Sequence, residues 1–245
     1  MRQTTLRATA IIEDARFGST VLQRNRNVMA ETYRLHYFPE SGNSYKLAQM
    51  LTLCGQPFEL IWTDFGARVT WTEEWRGNVN PMGEIPVLEE SGVRLTQTGP
   101  ILLHLAEKFG RFTGGPARFE VLRWLFWDNQ KMSGYLAPYR FMRTFTERSD
   151  QAVMTFFRRR IDDFLGILEQ QLRDRPFVAG SDCTIADISM CAYLSYPEDE
   201  IGYDLARSYP RVRVWLDRLA AIPGWRAPYD LLPGKRLARF DRNPQ

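Results

Sequence analysis

Apolar and polar positions along the chain fall into two regimes. Between residues 31 and 110 short apolar runs alternate with one helical stretch at a time; beyond residue 116 only helical spacing recurs. Tyr33–Phe38 (YRLHYF) reads as a short strand, stopped by Pro39 and a turn-forming Glu-Ser-Gly-Asn. Leu47, Met50, Leu51 and Cys54 recur at three and four, which predicts a helix closed by Gly55. Gln56-Pro57 breaks the pattern and Phe58–Trp62 predicts a second strand. After a connection carrying Trp71 and Trp75 comes NPMGEIPVLEE, whose Ile85–Leu88 begins a third strand. Gly92 turns the chain into a fourth, Val93–Thr96. Pro100–Phe109 then reads as a helix with Ile101, Leu102, Leu105 and Ala106 on one face, ended by Gly110. The order β-α-β, connection, β-β-α is that of a small mixed sheet with a crossover, an α/β unit.

Past the glycine-bearing link at 110–116 the pattern is helical throughout. Phe157, Ile161, Phe164, Leu165, Leu168 and Leu172 share one face of a helix over 150–173, and 184–195 and 211–221 read as further helices. Phe126, Trp127, Tyr135, Tyr139 and Arg140 are placed on one helix of this half. Thr184-x-x-Asp187 has the spacing of a capping box. The expected organisation is a flexible leader over 1–30, an α/β domain over 31–110, an all-helical domain over 117–233 and a solvated basic tail over 234–245 with Lys235, Arg236, Arg239 and Arg242.

Composition narrows the function classes. Apolar residues at 44% and charged residues at 25% are ordinary globular usage, and 245 residues suffice for two modest domains. No apolar run nears the ~18 residues that span a bilayer, so no membrane partner is expected. The net charge of +3 resides in residues 1–30, where five arginines face Glu13 and Asp14; the rest balances 27 basic against 27 acidic residues. That balance argues against a nucleic-acid partner. Cys54, Cys183 and Cys191 form no Cys-x-x-Cys and no even framework, which points to a reducing, cytoplasmic compartment. With only His36 and His104, both read as structural, no metal site is expected. The first thirty residues lack the apolar stretch of a secretory signal and are read as a leader, with Met29 an alternative start.

Four stretches resemble one family: Pro39-Glu-Ser-Gly-Asn-Ser-Tyr-Lys46 after the first strand, Asn80-Pro-Met-Gly-Glu-Ile-Pro-Val-Leu88, Gln97-Thr-Gly-Pro-Ile101 opening a helix, and Thr184-Ile-Ala-Asp187. Together and in this order, over about Tyr33 to Tyr229, they are similar to the soluble glutathione transferases, especially bacterial relatives with serine or asparagine at the active turn. The resemblance implies a thioredoxin-like domain followed by an all-α domain, a homodimer, and glutathione as co-substrate. It implies that Ile85-Pro86 is cis and holds the cysteinyl part of glutathione through the free Ile85 backbone at the sheet edge. It also places the γ-glutamyl carboxylate at Gln97-Thr98, where first-turn N–H groups and a hydroxyl favour an anion. Gln97 stands where the family usually has glutamate, so an acidic contact to the ligand's amino group must come from elsewhere. Capping alone would also account for Thr98.

A thiol whose free pKa is about 8.5 is mostly protonated at neutral pH, and a hydroxyl donor at a helix N-terminus stabilises the nucleophilic thiolate. The resemblance aligns Ser41 with the catalytic serine and Asn43 with an active asparagine; Ser44 is a third candidate, and shaping the turn is the simpler alternative for all three. The three cysteines read as packing residues, as does Tyr37. The electrophile pocket is expected between the domains, with Tyr135, Tyr139 and Arg140 on its wall. The implied activity is conjugation of the glutathione thiolate to a small electrophile in detoxification. Glutathione-dependent disulfide or peroxide reduction and a non-catalytic binding or scaffold role are the alternatives.

Overall fold

The structure is a computed structural model and describes residues 33–240; the expected leader and the last five residues, with Arg242, lie outside them. Strands β1 (Tyr33–Tyr37), β2 (Phe58–Trp62), β3 (Val87–Glu90) and β4 (Val93–Thr96) form one sheet in the order β2-β1-β3-β4. β1 runs parallel to β2 through the crossover helix α1 (Gly42–Leu53), and β3 is antiparallel to both β1 and β4. Helix α2 (Glu73–Asn78) lies in the connection between β2 and β3, and α3 (Thr98–Phe109) follows β4. The rest is helical: α4 (Arg118–Gln130), α5 (Met132–Thr144), α6 (Gln151–Gln171), α7 (Ile185–Met190), α8 (Glu198–Ile201), α9 (Leu205–Ser208), α10 (Pro210–Ala220) and α11 (Pro228–Leu231). This is a thioredoxin-like mixed sheet followed by a helical domain. No described helix is long and apolar enough to cross a membrane.

β1 places Tyr33, Leu35 and Tyr37 in the core at alternate positions, while His36 points to the other face and meets Trp75 of α2 edge-on at 5.6 Å. α1 is the central element. It packs on β1 and α3 and also on α7 and α11, so ten of its twelve residues are buried. The apolar spacing of 47, 50, 51 and 54 showed one buried face; the second face is polar and equally buried. Lys46 is the largest example, donating to Asp128 Oδ2 and Ser133 Oγ, each at 2.8 Å. The helix ends on Gly55, whose φ of +67° is the left-handed conformation a helix stop favours.

Several sequence expectations are corrected. The stretch expected as one helix from Phe126 to Arg140 is two, broken at Lys131, because Asp128 Oδ1 turns back to accept the Ser133 N–H at 3.3 Å and its hydroxyl at 2.9 Å. α2 has no counterpart in the apolar pattern: its Thr72 cap accepts the Trp75 N–H at 3.2 Å, but six residues are too short for a periodic signal. The third strand starts at Val87 rather than Ile85, with the Ile85-Pro86 peptide cis just before it. The regular helix from Ile185 ends at Met190 rather than 195. The capping box is present: Thr184 Oγ1 accepts the Ala186 N–H, and Asp187 accepts the Thr184 N–H at 2.9 Å. Asp187 also takes the Val178 N–H and the Trp215 indole N–H at 2.9 and 3.0 Å, so it ties α7 to α10 as well.

Candidate functional site

The registers bring three chain segments to one end of the sheet. His36 lies opposite Val87, and Val87 opposite Thr96. The C-terminal end of β1, the N-terminal end of β3 and the C-terminal end of β4 therefore coincide. From that end run the Ser41 turn, the Ile85-Pro86 peptide and the start of α3.

Ser41 is the N-cap of α1. Its Oγ accepts the Ser44 N–H at 3.0 Å, which leaves the hydroxyl proton for another acceptor. Asn43, two residues on, is half-buried, and its side-chain amide has no hydrogen-bond partner among the described residues. Ser44 is fully buried with its hydroxyl unpartnered inside the helix packing, away from any accessible position. A hydroxyl and a first helical turn are thus presented together, the arrangement that lowers the pKa of a thiol brought to them.

Ile85 forms no backbone hydrogen bond among the described residues, and Pro86 has no N–H to give. β3 is flanked by β1 and β4, so these free groups sit at a strand end rather than along the lateral edge the sequence suggested. Asn80 fixes the approach, its amide donating to the Glu84 carbonyl at 3.0 Å and its Oδ1 accepting the Met82 N–H at 3.0 Å.

At the third segment the cap is Gln97, not Thr98. Gln97 has φ +69° and ψ 114° and makes no side-chain cap bond. A non-glycine residue in that conformation is strained, and such strain concentrates at sites that hold ligands. The Thr98 hydroxyl caps nothing, so the capping explanation for it falls away; the Thr98 and Gly99 N–H groups at the start of the helix have no backbone partner among the described residues. Gly99 is required here, because the Asn129 amide nitrogen lies 2.7 Å from where a Cβ would stand. Gln97 Nε2 donates to Glu84 Oε2 at 2.7 Å. That contact brings a carboxylate beside Gln97, in the place where the first position of the motif is neutral; neither Glu84 nor Asn129 was singled out in the sequence, because only the fold makes them neighbours.

An apolar cavity of about 300 Å³ opens next to the Ser41 turn. Phe38 and Phe65 stack at 4.3 Å on its sheet side, and Arg140, Phe141, Phe145 and Tyr193 close the helical side. Of the three wall residues expected from sequence, only Arg140 lines it. Tyr135 packs among Phe156, Phe157 and Phe164, and Tyr139 against Tyr203, both on the far face of α5. Helical spacing marked them as inward-facing but could not tell one inward side from the other.

Arg140 is buried rather than solvent-facing. It donates to the Glu40 carbonyl at 2.8 Å, to Glu200 Oε2 through Nε at 3.0 Å and to the Tyr229 hydroxyl at 2.9 Å, and stacks on Tyr196 at 3.6 Å. Its charge is spent on Glu200, so it anchors the turn before Ser41 instead of waiting for an acidic substrate. Burial pushes the Glu40 carboxyl above its usual range; Oε1 accepts the Leu237 N–H at 3.0 Å while Oε2 is buried without a partner. Leu237 belongs to the basic tail, which is exposed yet docked. Arg236 stacks on Tyr229 at 3.6 Å, Arg239 pairs with Asp199 at 2.5 Å and the Phe240 N–H reaches the Thr144 carbonyl at 2.9 Å. The tail so crosses from the end of β2 to the end of α5 beside the cavity.

His36 of β1 and His104 of α3 pair with Glu89 and Glu90 of β3 at 3.0 and 2.5 Å. Burial pushes the thiols of Cys54, Cys183 and Cys191 up, which leaves none of them a ready nucleophile.

A family model for the glutathione S-transferase C-terminal domain matches residues 136–227. A crystal structure of a glutathione S-transferase from Xanthobacter autotrophicus Py2 is 32% identical, covers 82% of this chain and 97% of its own, and superposes with a TM-score of 0.73. One from Pseudomonas fluorescens Pf-5 is 31% identical, covers 80% and 98%, and gives 0.70. The disulfide-bond oxidoreductase YfcG of Escherichia coli K12 is 25% identical over 76% of this chain and 90% of its own. With the sheet, the cis-proline turn and the helical half all accounted for, the chain belongs to the glutathione S-transferase family.

Proposed function

We propose that the protein is a glutathione transferase that adds the glutathione thiolate to an apolar electrophile. The observation that carries this is the convergence at one sheet end of three kinds of free polar group: the Ser41 hydroxyl at a helix start, the Ile85 backbone, and the Thr98 hydroxyl with its first-turn N–H groups. Spaced in this way they suit the thiol, the cysteinyl backbone and the γ-glutamyl carboxylate of one extended tripeptide. Ile85 and Pro86 receive the middle residue, Gln97 and Thr98 the γ-glutamyl end, and Glu84, hydrogen-bonded to Gln97, takes the ammonium group.

Ser41 donates to the sulfur, with the Asn43 amide beside it, and the α1 N-terminus favours the negative charge. The thiol proton leaves to solvent. The thiolate then attacks an electrophile held against Phe38, Phe65, Phe141 and Phe145, whose rings select a flat apolar group. The electron pair of the broken bond departs with the leaving group. A homodimer would cover Phe119 and Phe126, which stand exposed seven residues apart on α4. Free thiols at all three cysteines suit a cytoplasmic protein.

An ultraviolet difference titration of glutathione bound to the purified protein tests the reading. A bound thiol that ionises well below its free pKa of about 8.5 supports it; saturable binding with an unshifted thiol reduces the protein to a glutathione-binding module. Similarity to a disulfide-bond oxidoreductase, together with the Asn43 amide at the turn, favours a second reading, glutathione-dependent disulfide reduction. The products separate the two: an S-conjugate for transfer, oxidised glutathione for reduction.

A further inference from the structure

Tyr193, which follows α7, reaches across to the start of α1. Its ring face lies on the Gly42 backbone, so closely that a Cβ built there would stand 2.8 Å from three ring carbons. The Gly42 and Asn43 N–H groups, first-turn donors beside the Ser41 cap, are near the phenol oxygen but make no hydrogen bond to it in this geometry. The residue also lines the 300 Å³ cavity. It thus stands where the activating turn opens onto the apolar space, and glycine at position 42 is what lets it approach.

Its polar neighbours at that turn are donors, and the hydroxyl makes no hydrogen bond among the described residues, so its proton is left for a ligand. The charged groups nearby are Arg140 from α5 and Asp128 from α4, held by Glu200 and Lys46, and Glu40, which lines the same cavity and whose Oε1 accepts the Leu237 N–H. Burial pushes the hydroxyl up to about 12, which keeps the phenol protonated, and hence a donor, across neutral pH.

Resting on the glutathione reading above, we propose that Tyr193 is a second thiolate donor: its hydroxyl donates its hydrogen to the sulfur from the cavity wall. The proton stays on the phenol throughout. The thiol proton goes to solvent, the sulfur forms its bond to the electrophile, and the leaving group carries off the electron pair. Tyr193 thereby brings a second donor to the mouth of the cavity, and it is a catalytic residue contributed by the helical domain.

The test is the bound-thiol titration on wild type, Tyr193→Phe, Ser41→Ala and the double variant, with glutathione affinity measured alongside by calorimetry. Tyr193→Phe is expected to raise the bound-thiol pKa by about one unit, as loss of one hydrogen bond to a charged group should. The double variant should raise it further than either change alone. At neutral pH kcat/KM should fall about tenfold, and the deficit should close at a pH where the thiol ionises unaided. A purely structural role would lower Tm and leave the thiol pKa where it was. Replacing Tyr193 with 3-fluorotyrosine keeps the packing and strengthens the donor, so the thiol pKa should move down; this protein decides the matter if the phenylalanine variant does not fold. A Tyr193→Phe protein that binds glutathione with the wild-type thiol pKa overturns the proposal alone, as does a fluorotyrosine protein whose thiol moves up. Wild-type protein that fails to bind glutathione, or binds it with an unshifted thiol, overturns the transferase reading itself.

Discussion

Replacing Lys46 by methionine tests whether the central helix is held by a buried charge. Lys46 and Asp128 are fully buried, and their 2.8 Å contact joins α1 to α4 across the two halves of the fold. Asp128 also accepts the Ser133 hydroxyl at 2.9 Å and the Ser189 hydroxyl at 2.5 Å, so its carboxylate is the centre of a four-residue network. Methionine matches the length and volume of the lysine stem, so the packing term is small. What remains is an anion out of water with hydroxyls but no cation, and breaking such a pair costs about 3–5 kcal/mol. At about 2–4 °C per kcal/mol for a chain of this size, Tm should drop by about 6–20 °C. Lys46→Met with Asp128→Leu removes both charges and should recover part of that loss, because replacing a whole buried pair is far milder than halving it. Equilibrium urea unfolding of the four proteins measures the cycle. A single-variant loss under about 1 kcal/mol, or losses that simply add in the double variant, would refute the claim that the charge needs its partner.

Three further outcomes follow from the same geometry. Ser41→Ala should raise the pKa of bound glutathione thiol more than Thr98→Ala does, while Thr98→Ala should weaken glutathione binding about tenfold, the worth of one charge-assisted hydrogen bond; equal pKa effects in the ultraviolet titration would contradict the division of roles. Gly42→Ala puts a Cβ 2.8 Å from the Tyr193 ring, and should cost about 1–3 kcal/mol in urea unfolding along with most of the turnover; a fully active, equally stable variant would show the contact to be slack. Burial alone would raise the Glu90 carboxyl, but hydrogen bonds from Lys108, His104 and Tyr33 win and hold it below its ordinary 4.5. The unfolded chain therefore takes up the proton first, so this stabilisation is present above that pH and is lost as pH falls through the folded-state value. Between about pH 5 and pH 3 the wild-type Tm should fall more steeply than that of Glu90→Gln, and parallel slopes would show that Glu90 is not the group responsible.

Much of the site was legible because its chemistry is local. Ser41 caps the helix that starts beside it, Pro86 removes an N–H wherever it stands, and Thr98 opens a helix whose first turn is bare by the geometry of helices. These need only a few neighbouring residues, and the motif order carried them. The wall of the cavity was not legible in that way. Tyr135, Tyr139 and Arg140 share a helical period, yet only Arg140 faces Phe38 and Phe65, since a helix packed on both sides hides which neighbour each inward residue meets.

The sequence by itself determined the four strands, the crossover helix, the Ser41 and Thr184 caps and the three segments that meet at one sheet end, because alternation, helical spacing and turn chemistry act over a few residues. Only the tertiary structure decided which distant residues stand beside them. Lys46 meets Asp128 only once the helices pack, Gln97 reads as a neutral substitution until Glu84 is brought to it, and the Tyr193 ring reaches the turn only across Gly42. In each case the partner lies between 13 and 151 positions away in the chain. Such pairs are selected by the packing of whole elements, and that packing leaves no periodic trace in the local order of residues.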